Sequence, residues 1–191
     1  MTPKQLLNKV LPPMLATLAD GPPKNDAEWH YELKYDGFRA VIGITGGSVA
    51  MLSRNELDLA PRFPRIYEAL QKLKTKEVVV DGEVVVLDEQ GAPRFQLLQQ
   101  GGKELLVLFD ILWLDGEDLR RRPYEERRRI LQKTFAKPPA NISVAQTLDM
   151  TGEQALALAA KAGWEGVIAK RRGSVYETRR SKEWLKIKAI Q

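Results

Sequence analysis

Residues 78–86 read VVVDGEVVV, six valines with Asp81 and Glu83 set among them. Consecutive β-branched residues favour a strand. Alternate strand side chains share a face, so the two carboxylates point the same way. A carboxylate inside so apolar a run is costly to bury without a partner. The fold must either leave that face open to water or oppose it with cations.

The same device recurs. In YELKYDGFRA, residues 31–40, Glu32, Lys34 and Asp36 share one face and Tyr31, Leu33 and Tyr35 the other, ahead of Gly37 and Arg39. In WLKIK, Trp184, Lys186 and Lys188 oppose Leu185 and Ile187, while EGVIAK carries Glu165 and Lys170 at the two ends of an apolar stretch. The plain alternative is a set of half-exposed strands with solvated charges. If the charged faces converge, they form a pocket of mixed charge able to hold a polyphosphate and its metal.

The rest of the chain supplies the framework. Residues 1–27 are Pro-rich and read as an irregular leader packed along one domain that spans 1–191. Strands are expected over 28–36, 39–45 and 48–54, the last two joined at a TGGS turn. FPRIYEALQKLK reads as an amphipathic helix with Pro64 in its first turn. A strand-rich run from Lys76 precedes a short helix at FQLLQQ, and ELLVLFDILWL is a buried strand ending in an Asp-Gly turn. Pro123 opens a helix whose arginines 127–129, like 120–122, read as a solvated charged face. NISVAQ is a strand, Thr151 and Gln154 make a capping box, and Gly163 stops the helix that follows. Strands interspersed with helices in this order predict an α+β fold with antiparallel sheets flanked by helices.

Composition narrows the chemistry. With 43% hydrophobic and 29% charged residues the chain is globular, not disordered. No apolar run is long enough for a membrane span, so no membrane partner is expected. The absence of cysteine removes thiol nucleophiles and Cys-based zinc sites, and fits a cytoplasmic protein. One histidine disfavours a Ser-His-Asp triad. A net charge of +5 is compatible with a nucleic-acid partner without demanding one. No GxxxxGK[ST] loop is present, so phosphates would be held by side chains. A lysine becomes a nucleophile when burial or neighbouring cations weaken its hold on its proton. Lys34, with Arg39, Lys186 and Lys188 expected nearby, is the candidate; the remaining cations would neutralise phosphate charge. Glu83 and Glu165 offer oxygen ligands to a divalent metal.

KYDGFR resembles the KxDGxR lysine motif of covalent nucleotidyltransferases: ATP-dependent DNA ligases, RNA ligases and mRNA-capping guanylyltransferases. SRN (53–55), DGEVV (81–85), FD (109–110), EGVIAK (165–170) and WLKIK (184–188) resemble the family's next five motifs, in order. The strings DGEVVVLDEQGAPRFQLLQ and AKRRGSVYETRRSKEWLKIK most resemble the ligase domain of bacterial DNA end-joining ligases.

The resemblance implies an ATP-grasp-like nucleotidyltransferase domain with a nucleotide pocket between its sheets. Lys34 would attack the α-phosphate of ATP and carry AMP, which would pass to the 5′-phosphate of nicked duplex DNA before a 3′-hydroxyl displaces it. Glu32 and the adjoining backbone at Leu33 would read the adenine amine, and Arg39 and Arg54 would hold the ribose or phosphates. Glu83 would contact the ribose or, with Glu165, the metal, Mg²⁺ or Mn²⁺. Phe109 would stack on adenine with Ile168 or Val167 on its other face, and Arg180, Lys186 and Lys188 would surround the phosphates. It further implies a monomer, nucleoid-associated if bacterial, with end-joining proteins or fused repair domains as candidate partners.

On the residues alone, Phe109 suits plain core, Asp81 a turn or strand end as well as a metal ligand, Lys170 a solvated strand end or a nucleic-acid or phosphate contact, and His30 and Trp164 packing. The family's C-terminal OB-fold and its RxDK-like motif have no counterpart here, since no Asp is followed by Lys. The sequence reads as the adenylation domain alone, with self-adenylation expected to be impaired. Only 33 residues precede Lys34, which leaves no room for the extra domain of NAD-dependent ligases. An RNA ligase or capping enzyme, and a non-catalytic nucleic-acid platform, are the alternatives. Labelled ATP is expected to mark the protein and labelled GTP to leave it unmarked; the reverse pattern would exclude a DNA ligase.

Overall fold

The computed structural model describes residues 1–73, 75 and 77–189. In chain order the elements are α1 (Pro3–Asn8), β1 (Leu15–Ala19), β2 (Trp29–Leu33), β3 (Phe38–Thr45), β4 (Ser48–Leu52), α2 (Pro64–Gln71), β5 (Glu77–Val85), α3 (Phe95–Gln99), β6 (Leu105–Leu114), β7 (Glu117–Asp118), α4 (Tyr124–Thr134), β8 (Ile142–Val144), β9 (Thr147–Leu148), α5 (Gly152–Lys161), β10 (Gly166–Arg171) and β11 (Arg180–Lys188). One sheet runs β1-β11-β10-β2-β9 and the other β4-β3-β5-β6-β7, with β8 beside β6. Pairing is antiparallel as expected except that β1 runs parallel to β11 and β8 parallel to β6.

Period-two patterning decides what lies on each side. Val78, Val80 and Val84 of β5 join Ile42 and Ile44 of β3 in a core beneath Ile66 and Leu70 of α2 and Leu131 of α4. Val79 points the other way, to a second cluster shared with Trp184 of β11. On the outer face of the first sheet, Tyr31, Val167, Ala169 and Ile187 pack against Ala155 and Ala159 of α5. The capping box at Thr151 and Gln154 forms as the sequence predicts.

Residues 1–27 are not an irregular leader. Thr2 and Gln5 make a capping box on α1, whose Leu6 and Leu7 are fully buried between the sheets, and β1 extends the first sheet. Prolines at 3, 12 and 13 masked these short elements, which gain their stability from tertiary burial and not from local propensity.

The chain crosses from the first sheet to the second between Leu33 and Phe38. A Cβ on Gly37 would lie 1.9 Å from the Val84 carbonyl oxygen, so only glycine fits where the crossing segment lies against β5.

Of the three arginines of α4 only Arg129 is solvated as expected: Arg127 is fully buried and Arg128 nearly so. Arg127 Nε donates to Asp110 Oδ1 at 2.8 Å and Nη2 to Oδ2 at 3.2 Å, while Nη1 donates to the carbonyls of Arg122 and Ser174. Arg127 thus ties α4 and the segment connecting β10 to β11 to β6. Asp110→Ala, which strands the buried guanidinium, is expected to cost about 3–5 kcal/mol, measured by urea unfolding. A loss near that of an exposed pair, under about 1 kcal/mol, would contradict it.

Candidate active site

Of the two carboxylates in the valine run, Asp81 finds its cation in the layer between the sheets. Asp81 is fully buried in mid-strand, neither turn residue nor strand end. Arg39, on the adjacent β3, donates from Nε to Asp81 Oδ1 at 2.7 Å and from Nη2 to Oδ2 at 2.6 Å, and Nη2 also reaches the Met14 carbonyl at 2.8 Å. The Tyr176 hydroxyl donates to Asp81 Oδ2 at 2.5 Å. Glu83 lies directly across the ladder from Arg39.

Beside this network a cavity of about 160 Å³ opens between the sheets. Leu33, Lys34 and Tyr35 enter it from the end of β2 and the crossing segment, Glu83 from β5, Phe109 from β6 and Ile168 from β10. Exposed Arg54 and Arg180 lie on its rim with half-buried Lys186. Phe109 is half-buried on the cavity wall and not plain core; Val167, by contrast, is fully buried in the core, so the cavity takes Ile168 of that pair. Leu15 and Ala16, in what read as a leader, also line it. Trp164 is a packing residue as expected, edge-on to Tyr35 with centroids 5.0 Å apart.

The immediate neighbour of Lys34 is a carboxylate: Nζ lies 3.0 Å from Glu165 Oε1. Arg39 is engaged by Asp81, and Lys188 is exposed and outside the cavity lining. The expected ring of cations on Lys34 is therefore looser than the strand faces suggested. Burial lowers the Lys186 pKa, and Arg180, Lys34, Arg54 and Lys188 add to the effect. Burial pushes the Glu83 carboxyl up to about 8 against the pull of Arg39 and Lys34. Burial, with Glu165 nearby, also raises Asp36.

Lys170 in the cavity wall and Tyr124 beside it have partners that local pattern does not reveal. Lys170 is not a solvated strand end but 2% exposed. Its Nζ lies 3.1 Å from Glu32 Oε1, and the Tyr124 hydroxyl donates to Glu32 Oε2. Nothing in the local pattern around Tyr124 links it to β2, which is 92 residues away.

Residues 13–188 match the family model of the ATP dependent DNA ligase domain. This chain belongs to that family. The ligase domain is 43% identical over 183 residues to the multifunctional non-homologous end joining protein LigD of Pseudomonas aeruginosa, covering 92% of this chain and 22% of the relative. It is 39% identical over 182 residues to a Mycobacterium tuberculosis LigD, covering 93% of this chain and 24% of that protein. The chain thus spans a quarter or less of these relatives. The crystal structure of the ligase domain from M. tuberculosis LigD superposes with a TM-score of 0.84 at 37% identity, covering 93% of this chain and 59% of that one. A mycobacterial DNA ligase D complexed with ATP and MES gives 0.82 at 36%, covering 95% and 61%. The α+β nucleotidyltransferase fold expected from the motifs is the fold of this ligase domain. No helix among the described residues is long and apolar enough to cross a membrane.

The raised Glu83 carboxyl sets a pH dependence. The folded chain holds that proton more tightly than an unfolded chain, whose carboxyl titrates near 4.5. Its contribution to stability therefore falls as pH rises from about 4.5 to about 8. Glu83→Gln removes the titration, so its stability relative to wild type is expected to rise between about pH 5 and pH 8, read by urea unfolding. A difference that is flat with pH would show that Glu83 is not desolvated.

Proposed function

We propose that this domain is the catalytic core of an ATP-dependent DNA ligase, with Lys34 as the nucleophile. The observation that carries the reading is Lys34 Nζ, 3.0 Å from a carboxylate, opening into a cavity with Phe109 and Ile168 on its walls and Arg54, Arg180 and Lys186 around it. A slot with an apolar, aromatic wall suits a purine, and the basic rim suits phosphates.

The Lys34 ammonium first gives up a proton, for which the Glu165 carboxylate is within reach. The freed lone pair attacks the α-phosphorus of ATP. A P–N bond forms as the bond to the bridging oxygen breaks, and pyrophosphate leaves with the electron pair. Lys186 and Arg180 neutralise the charge that builds on the phosphate oxygens, with Lys188 acting at longer range. Arg54 holds the outer phosphates. Arg39, locked by Asp81, offers a fixed positive field beside the ribose. Glu32 and the Leu33 backbone face the base edge.

The lysyl-AMP then passes its adenylyl group to the 5′-phosphate of a nick in duplex DNA, regenerating the amine. A 3′-hydroxyl attacks that activated phosphate and releases AMP, closing the phosphodiester. The domain acts as a monomer in the cytoplasm, and the LigD likeness points to break repair by end joining, beside end-joining proteins or fused repair domains.

Glu83 and Glu165 fit a divalent cation, Mg²⁺ or Mn²⁺. Glu83 is a desolvated carboxyl whose charge a cation would stabilise, and both groups act on the Lys34 region. Among the described residues no three acidic or His side chains form a preformed metal cage, so phosphate oxygens and water would complete the shell. The ion would supply charge neutralisation at the phosphates.

Intact-mass spectrometry tests the reading. ATP with Mg²⁺ is expected to add one AMP to the native chain, pyrophosphate to remove it, and Lys34→Ala to show none. If AMP never appears, a pre-adenylated nick separates the outcomes: sealing keeps the ligase reading and assigns the block to the first step, whereas no sealing would leave a binding platform.

A further inference from the structure

Tyr176 lies outside the cavity lining, in the connection between β10 and β11, and is 4% exposed. Its hydroxyl is nevertheless engaged on both sides. It donates to Asp81 Oδ2 at 2.5 Å and accepts from the Met14 backbone N–H at 3.0 Å. Arg39, which does line the cavity, donates to the same two residues: to both oxygens of Asp81 and, from Nη2 at 2.8 Å, to the Met14 carbonyl. Both groups that accept from Arg39 are therefore tied to one hydroxyl. A ring closes from Arg39 through Asp81, the Tyr176 hydroxyl and Met14. The Tyr176 ring is itself held edge-on to Trp184, centroids 5.7 Å apart, and Trp184 lines the cavity. Arg39 already neutralises Asp81 through a two-point contact. What the hydroxyl adds is direction: with both acceptors held, the guanidinium has one orientation.

We propose that Tyr176 is a positioning residue for lysine adenylation: its hydroxyl fixes the two acceptors of Arg39, and so the angle at which that guanidinium meets the nucleotide. The inference rests on reading Lys34 as the nucleophile and Arg39 as a fixed charge beside the nucleotide. Tyr176 touches no reacting atom. Attack on phosphorus depends on alignment, and a fixed cation helps only if it already stands where charge develops. Without the hydroxyl, the bonds from Arg39 to Asp81 can still form. The Met14 N–H is then left unpaired, and the carboxylate and carbonyl are free to shift, so Arg39 samples several orientations. ATP binding is spread over base, ribose and phosphates and suffers little, while the aligned fraction falls. The loss therefore belongs in the rate at saturating ATP and not in KM. A hydroxyl that served stability alone would move the unfolding midpoint and leave that rate unchanged.

The test follows lysine labelling of the 191-residue chain by α-labelled ATP with Mg²⁺, as rate against ATP concentration, beside urea unfolding. Tyr176→Phe is expected to lower the rate at saturating ATP about tenfold while KM changes by less than about threefold. In an Arg39→Lys background, whose single ammonium has no fork to orient, the same substitution is expected to cost less than about twofold. An unchanged saturating rate in Tyr176→Phe, a change confined to KM, or an equal loss in both backgrounds overturns the proposal while leaving the ligase reading intact. A wild-type chain that ATP never labels also overturns it, and sealing of a pre-adenylated nick then decides whether the ligase reading survives. Should Tyr176→Phe fail to fold, Asp81→Asn keeps the side chain's shape but replaces one carboxylate acceptor by a donor, which breaks the ring. The saturating rate is then expected to fall by about tenfold or more, and an unchanged rate overturns the proposal.

Discussion

Charge buried between two sheets has to be paired, and much of this domain follows from that requirement. Three ion pairs lie in or beside the layer: Asp81 with Arg39, Glu32 with Lys170, and Asp110 with Arg127. Each links separate elements: neighbouring strands β5 and β3, strands β2 and β10, and strand β6 to helix α4. Removing one partner would leave the other desolvated and unsatisfied, which costs more than the pair itself contributes. The pairs therefore act as geometric constraints more than as sources of stability.

The cavity is a consequence of those constraints. Arg39 cannot swing while Asp81 holds it at two nitrogens and Tyr176 fixes the acceptor. Glu83, with Arg39 already committed to Asp81, keeps a carboxyl that prefers its proton. Lys34 leaves β2 just where the chain crosses between sheets, and Gly37 lets that crossing lie against β5. The nucleophile is thus carried on a tightly packed segment and not on a free loop, which suits a reaction that depends on alignment.

Comparing particular residues shows what local pattern can and cannot convey. Alternation in β2, β5 and β11 placed Glu32, Glu83 and Lys186 on the cavity side, because a strand's period is fixed by its backbone; Lys34 and Tyr35 both line it from the crossing segment beyond β2, where that period no longer applies. The same reasoning mistook Arg127 for a solvated helix residue and Lys170, near the end of β10, for a solvated one. Both are buried against carboxylates distant in sequence, Asp110 and Glu32, and no short-range signal encodes such a pairing. Residues 1–27 misled for a related reason: α1 is short and proline-initiated, and its Leu6 and Leu7 matter only once the space between the sheets exists to receive them.

By itself the sequence determined the strands after residue 27 that carry the motifs, the order of those motifs and so the family, since these rest on local periodicity and on residue identity at fixed spacings. Tertiary structure alone decided which charges meet. It gave Lys34 a carboxylate neighbour, set Lys188 outside the cavity lining and brought Leu15 and Ala16 into it, and enclosed Lys170 among aromatic rings. Partner choice for a buried charge depends on which distant strands are brought within about 3 Å, and that is a property of sheet packing and register, which no single segment carries.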